Sequence, residues 1–256
     1  MISLKTPDQV AKIRESCIIV AETLEAIGRI IEPGITTSEL DRWVVDFIKS
    51  RGAVPAFKGY RGFPANACVS VNEEVVHGIP GDRTLLEGDI VSVDVGAKKN
   101  GYFGDGAATF PVGEISDEAQ RLMEVTELAL MKGIERAVVG NHLGDVSHAI
   151  QNCVEGAGFS VVRDLVGHGI GIQMHEDPQV PNYGSVGFGP LLVEGMVLAI
   201  EPMVTAGGWE VQTLADNWTV VTKDGSLAAH FEHTVAICDE GVEILTQPGS
   251  RALRRS

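Results

Sequence analysis

A chain of 256 residues, 44% apolar and 21% charged, can bury a sizeable core as one large domain or two small ones. Its formal charge of −15 argues against nonspecific binding to nucleic-acid backbones. The longest apolar runs are too short to cross a bilayer, and proline, glycine and serine are spread without a linker or low-complexity tract.

The first predicted element is a helix with Thr6 as N-cap, Pro7 at its first position and Gln9 closing a capping box. Val10, Ile13, Cys17, Val20, Leu24, Ile27 and Ile31 recur three and four apart as one buried stripe, and Glu32-Pro33-Gly34 stops it. A second helix runs from about Thr36, with Glu39 in capping position and Gly52 beyond its end. Strand-like segments fill much of Ala67 to Val112, and Ser116 to about Val139 and Leu143 to Glu155 form another helix pair before more strands. The order helix, helix, strands occurs twice, which predicts a duplicated α+β unit around a shared sheet.

Within the first strand region, Ile90 to Val95 places Val91, Val93 and Val95 on one face and Ile90, Ser92 and Asp94 on the other. Lys98-Lys99-Asn100-Gly101 signals a hairpin, and a two-residue loop at 99–100 or 100–101 sets Asp105 opposite or diagonal to Asp94 on the same face. In the second half, Met196 to Met203 alternates so that Val197, Ala199, Glu201 and Met203 fall together. His230, Glu232, Thr234 and Ala236 share a face of a final long strand. Each of these glutamates is flanked by apolar residues, and a carboxylate buried in a strand without a partner costs several kcal/mol. His168 lies in Val166-Gly167-His168-Gly169-Ile170-Gly171, whose glycines let other groups approach the ring, and a second histidine, His175, follows seven residues on.

Asp94, Asp105, His168, Glu201 and Glu232 therefore form a carboxylate-rich set of potential metal ligands. Four carboxylates in one site raise each other's pKa unless a cation neutralises them. Oxygen and imidazole donors without thiolates suit a hydrolytic site for one or two first-row metals better than a structural zinc site.

The chain resembles the type I methionine aminopeptidases nearly end to end. The resemblance rests on Asn72-Glu73-Glu74-Val75-Val76-His77-Gly78-Ile79-Pro80, on Asp94 with Asp105, and on Gly167-His168-Gly169-Ile170-Gly171 followed by His175. Ala199-Ile200-Glu201-Pro202 and Glu232-His233-Thr234 complete the series. It implies the pita-bread fold, a pseudo-twofold α+β arrangement around a mostly antiparallel sheet, in a single catalytic domain over 1–256 with halves about 1–115 and 116–256. By the same resemblance Asp94 is a terminal ligand of one divalent ion, Asp105 and Glu232 bridge, and His168 and Glu201 bind the other. Manganese, iron, cobalt, zinc and nickel all accept such donors. A hydroxide shared by ions ~3.5–4 Å apart would be the nucleophile.

Further expectations come from the resemblance. Glu201 shuttles the proton of the attacking water, while His77 and His175 contact the scissile amide without binding metal. A methionine pocket maps onto Phe57, Tyr60, Phe63, Cys68, Met174 and Trp218. Many relatives have cysteine at the position of Phe57 and tyrosine at that of Phe63, which implies a narrower, less polar entrance here. Leu165 replaces a usual aromatic or methionine. The expected activity is removal of the initiator methionine from nascent polypeptides with a small second residue.

The start Met1-Ile2-Ser3-Leu4-Lys5-Thr6-Pro7 lacks the features of a secretory signal, and the dispersed Cys17, Cys68, Cys153 and Cys238 suit reduced thiols. Cytoplasmic residence, a monomer and transient contact with the ribosome are expected, with no membrane and no nucleic-acid substrate. The basic spots at Lys98-Lys99 and at Arg251, Arg254 and Arg255 read as a solvated turn and a frayed end. The resemblance includes no amino-terminal zinc-binding extension and no long insertion between His175 and Glu201 of the type II kind. A prolyl-directed aminopeptidase, which typically carries a large extra amino-terminal domain, and a noncatalytic binding homologue are the competing readings.

Overall fold

Threonine hydroxyls start the first two helices of the computed structural model, which describes residues 1–247 and 253–254. Helix α1 (Pro7–Ile27) opens on the Thr6–Gln9 capping box and α2 (Thr37–Ser50) on the matching Thr36–Glu39 box. Helix α1 ends earlier than its apolar stripe. Gly28 caps it, Arg29 and Ile30 turn back onto the carbonyls of Ala26 and Ile27, and Ile31 packs on the core from outside the helix. A Cβ at Gly28 would collide with the Phe110 ring, so the close approach of sheet and helix end requires glycine there.

Helices α3 (Asp117–Ile134) and α4 (Leu143–Gly156) form the second pair. Helix α3 stops five residues short of Val139, because the chain tightens into i→i+3 turns in which Arg136 and Ala137 donate to Gly133 and Ile134. One ten-stranded sheet, antiparallel at every pairing, underlies both pairs. Its central junction joins Tyr102–Pro111 of the first half to Glu232–Cys238 of the second, and two three-stranded sheets flank it.

Three apolar clusters explain the placement. Helices α1 and α2 pack Val20, Ile27, Leu40, Val44 and Ile48 onto Val91, Val93 and Val95, the inward face expected for that strand. Helices α3 and α4 cover Leu198, Ile200, Val235 and Ile237 in the same way. Between them Ile13, Cys17, Phe57, Phe63, Cys68, Ile170 and Met174 form a third cluster beneath the opposite face of the sheet's midline.

Two predicted strands are interrupted. The segment Met196 to Met203 breaks at Glu201-Pro202 into Val197–Ile200 and Met203–Thr205, so Glu201 stands at a strand end. The long strand from His230 splits at Phe231, leaving Ala228–His230 in a small sheet and Glu232–Cys238 in the large one. In both cases the chain changes sheets. Arg251 and Arg255 lie outside the described residues, as does the Arg254 side chain; Lys98 lies over the Phe103 ring and Lys99 donates to the Arg51 carbonyl.

Candidate active site

Paired residues on neighbouring strands project to the same side of a sheet. Asp94 pairs with Ala107 and Ala107 with Glu232, while Thr234 pairs with Ala199 and Ala199 with His168. The Asn100-Gly101 loop, both residues at positive φ, sets Asp105 opposite Gly96 and hence diagonal to Asp94. This register alone brings Asp94, Asp105, His168 and Glu232 to one face. Glu201, released from the strand, reaches the same place: its Oε1 and Asp105 Oδ2 each lie 3.7 Å from His168 Nε2.

Those separations exceed a hydrogen bond, yet they let both oxygens reach one ion whose ligands stand about 2.0–2.2 Å away. Ligand atoms of Asp105, His168 and Glu232 all lie within 4.8 Å of one another, and so do those of Glu201, His230 and Glu232. Asp94 Oδ1, Glu232 Oε1 and His230 Nε2 are buried without a hydrogen-bond partner. Burial first, then repulsion from Asp105 and Glu201, holds Asp94 well above the usual carboxylate range. Asp105 is raised by burial and by Glu201, and Glu232 by burial and its three carboxylate neighbours. Orphaned buried oxygens and mutually destabilised carboxylates are the signature of a donor set that fits divalent cations.

Around this centre stand the two expected histidines. His77 occupies a left-handed backbone position at φ 60, unusual for a non-glycine residue, and the following Gly78 lies so close to Val69 that a Cβ would strike its carbonyl. Burial lowers the His77 pKa against an opposing pull from Glu201. Burial first, then the electrostatic influence of His168, Arg61 and His77, takes His175 down to about 3, so its imidazole is neutral at physiological pH. Gly167 and Gly169 flank His168 for the same reason as Gly78: side chains there would meet the carbonyls of Ala199 and Asp177.

A cavity of about 130 Å³ is lined by Phe57, Tyr60, Phe63, Cys68 and Trp218 together with His77, His175 and the five carboxylate and imidazole ligand candidates. Met174, the sixth residue expected there, is buried behind this wall with Ile13 and Ile170. The Phe63 and Trp218 rings meet edge to face at 5.1 Å. The cavity opens on a wider cleft of about 780 Å³, and His77, His168, His175, Glu201 and Arg61 belong to both.

Two residues of this site escaped the sequence reading as participants. His230, 1% exposed, points its Nε2 at Glu201 Oε2 across 3.6 Å. Its shared parity with Glu232 was the available signal. Arg61 lies at the cleft mouth in a left-handed conformation, φ 49, which its sequence gives no means to foresee.

The sequence pattern of metallopeptidase family M24 matches residues 11–239. The chain belongs to this family. It is 59% identical over 247 residues to the methionine aminopeptidase of Clostridium acetobutylicum, covering 96% of this chain and 99% of the relative. Methionine aminopeptidase 1 of Bacillus subtilis is 58% identical, over 96% of this chain and 100% of its own. The crystal structure of methionine aminopeptidase from Thermotoga maritima superposes with a TM-score of 0.95 at 50% identity, over 96% of this chain and 100% of that one. A prolidase from Pyrococcus furiosus, 24% identical, shares the fold with a TM-score of 0.78 over 95% of this chain and 65% of its own. The architecture is thus the pita-bread fold of M24, and two divalent ions suit both the family and the buried cluster.

Proposed function

We propose that this metallopeptidase hydrolyses the first peptide bond of polypeptides and releases their amino-terminal methionine. One observation carries the reading: a small cavity with aromatic and thiol walls, lined also by the ligand candidates, joins an open cleft, and His77, His168, His175 and Glu201 stand at the junction. A single apolar side chain fills such a cavity while the rest of the peptide leaves along the cleft. The high identity to proteins named methionine aminopeptidase over nearly the whole chain supports methionine as that side chain.

Asp94, Asp105, His168, Glu201 and Glu232 would hold two divalent ions. When bound, the ions lower the pKa of water toward neutrality and polarise the scissile carbonyl. Glu201, mostly buried but lining the cleft, takes the proton of the attacking water and returns it to the departing amine. Neutral His175 donates a hydrogen bond to the carbonyl oxygen as charge develops there, and His77 holds the scissile amide from the other side. Phe57, Tyr60, Phe63, Cys68 and Trp218 enclose the methionine side chain, with Met174 supporting Phe57 from behind.

The two halves, about 1–115 and 116–256, act as one catalytic domain, a reading supported by the continuous sheet across their junction. The protein works as a cytoplasmic monomer that meets nascent chains near the ribosome. No helix among the described residues is long and apolar enough to cross a membrane. The test is residue release from matched Met-Ala-Ser, Leu-Ala-Ser and Ala-Pro-Ser peptides by metal-stripped protein with and without added divalent metal. Metal-dependent cleavage confined to the methionine peptide is expected. Cleavage before proline would move the protein to the prolyl-directed class, and no turnover with any metal would make it a binding homologue.

A further inference from the structure

Tyr60 belongs to the cavity wall, yet its hydroxyl points away from an apolar role. The phenolic oxygen lies 2.9 Å from His175 Nδ1, and the two rings stack nearly parallel, 5.2 Å apart at 8°. The His175 ring also packs on His168 with centroids 4.1 Å apart. The imidazole thus contacts two rings, with one nitrogen committed to Tyr60.

We propose that the Tyr60 hydroxyl donates to His175 Nδ1 and thereby fixes the tautomer whose proton sits on Nε2, making Tyr60 a positioning residue for the reaction. This rests on the reading of His175 as the group that contacts the scissile carbonyl. The hydrogen bond made by one imidazole nitrogen decides the protonation of the other. In the opposite tautomer Nδ1–H would donate to Tyr60, Nε2 would turn a lone pair toward the carbonyl oxygen, and the phenol proton would lose its partner. No other partner for that hydroxyl is recorded among the described residues. Only the first arrangement places a donor where negative charge develops.

The loop carrying Tyr60 is built to hold this geometry. Tyr60 N–H donates to the Phe57 carbonyl at 2.9 Å, Gly59 N–H to the Phe63 carbonyl at 2.8 Å and Phe63 N–H to the Tyr60 carbonyl at 2.9 Å. Arg61 adopts φ 49 within this knot, and its guanidinium lies over the Tyr60 ring, 5.4 Å from the centroid. A left-handed non-glycine residue persists only where its surroundings over-determine it, and here it carries the guanidinium that lies over the phenol. Tyr60 therefore does two things: its ring walls the pocket and its hydroxyl orients the imidazole.

Tyr60→Phe in the full-length metal-loaded protein keeps the wall and removes the hydroxyl. With the Met-Ala-Ser peptide kcat should fall about 10–100-fold, the range for partners that orient site histidines, while KM and bound metal stay unchanged. In a His175→Ala background the same substitution should have no further effect on kcat. Histidine 15N NMR of the zinc-loaded protein should show His175 protonated at Nε2 in the wild type and a tautomer mixture in Tyr60→Phe. A rise in KM alone, an equal loss in the His175→Ala background, or a proton on Nδ1 in the wild type would overturn the proposal. A wild-type protein that fails to cleave the peptide refutes the functional reading instead, and the NMR result then still decides the tautomer.

Discussion

Glu232→Gln separates two roles that a buried acidic centre combines. Glu232 is 3% exposed, its Oε1 has no protein partner, and Asp105, Glu201 and Asp94 repel it. Ligand atoms of Glu232 and Asp105 lie within 4.8 Å, where two unit charges repel by about 3 kcal/mol at an effective dielectric near 20. Proton uptake relieves part of that repulsion, so removing the charge should stabilise the metal-free protein by about 1–3 kcal/mol, or about 2–12 °C in Tm for a chain of this size. Added metal should offset that gain, because a charged donor is lost and affinity falls by at least the ~10–100-fold seen for outer-shell partners. Wild type gains about 2.7 kcal/mol at a hundredfold excess over Kd, of which the variant forfeits about 1.3–2.3 kcal/mol at such a loss of affinity. The gain without metal also carries a pH signature. A carboxyl whose folded-state pKa is raised favours folding while protonated, and that advantage is lost as pH climbs past the ordinary 4.5 toward the raised value. The variant should therefore exceed metal-free wild type at pH 8 and match it below pH 4.5. Thermal melts by circular dichroism, with and without manganese at both pH values, give all four numbers. If Glu232→Gln lowers the Tm of the metal-free protein at pH 8, the electrostatic account of this centre is wrong.

His175→Ala should lower kcat about 10²–10³-fold, as for loss of one donor to a developing oxyanion, while metal content by elemental analysis stays at the wild-type level; a matching loss of metal would mean that the residue is a ligand. His230→Leu deletes a buried nitrogen that lacks a hydrogen-bond partner, so metal-free stability in urea titrations should rise by up to about 1–3 kcal/mol, and a fall would reveal a partner that the site requires. Lys5 and Glu176 are 3% and 12% exposed and meet at 2.5 Å, with Glu176 also holding the N–H groups of Ile172 and Gln173 beside His175. Lys5→Ala should then cost about 3 kcal/mol, seen as a Tm lower by roughly 6–12 °C, and a loss under 1 kcal/mol would show the pair to be solvated.

The strand parity of the ligand set was legible because alternation and a two-residue hairpin loop are local. Lys99 pairs with Tyr102 around Asn100-Gly101, one of the two loops the sequence allows, and either choice leaves Asp94 and Asp105 on one face. Helix starts were equally legible, since Thr6, Thr36 and Ser116 cap their own helices through contacts three residues away. Helix ends were not. Ile31 and Val139 continue an apolar rhythm, but tertiary packing keeps that rhythm buried after the hydrogen-bond ladder has stopped, so periodicity overruns the helix. The breaks at Glu201-Pro202 and Phe231 were hidden for a similar reason: both flanking pieces are strands of correct parity, and only the change of sheet distinguishes them from one long strand.

Those two breaks bear directly on the chemistry. A side chain inside a strand has its direction fixed by the pleat, which suits the ligand role proposed for Asp94, Asp105 and Glu232. The proton carrier proposed here has to face the cleft as well as the candidate ligand cluster, and Glu201 stands just past Ile200, where the ladder ends, and lines the cleft. The exit of the chain toward Met203 brings the small sheet, and with it His230, against the free side of the carboxylate. The interruption of regular structure thus separates the fixed donors from the one carboxylate that lies between two imidazoles, His168 at 3.7 Å and His230 at 3.6 Å. That separation suits the proposed proton carrier, which must stay within hydrogen-bond reach of the reacting water, whereas a purely structural metal site keeps its coordination closed.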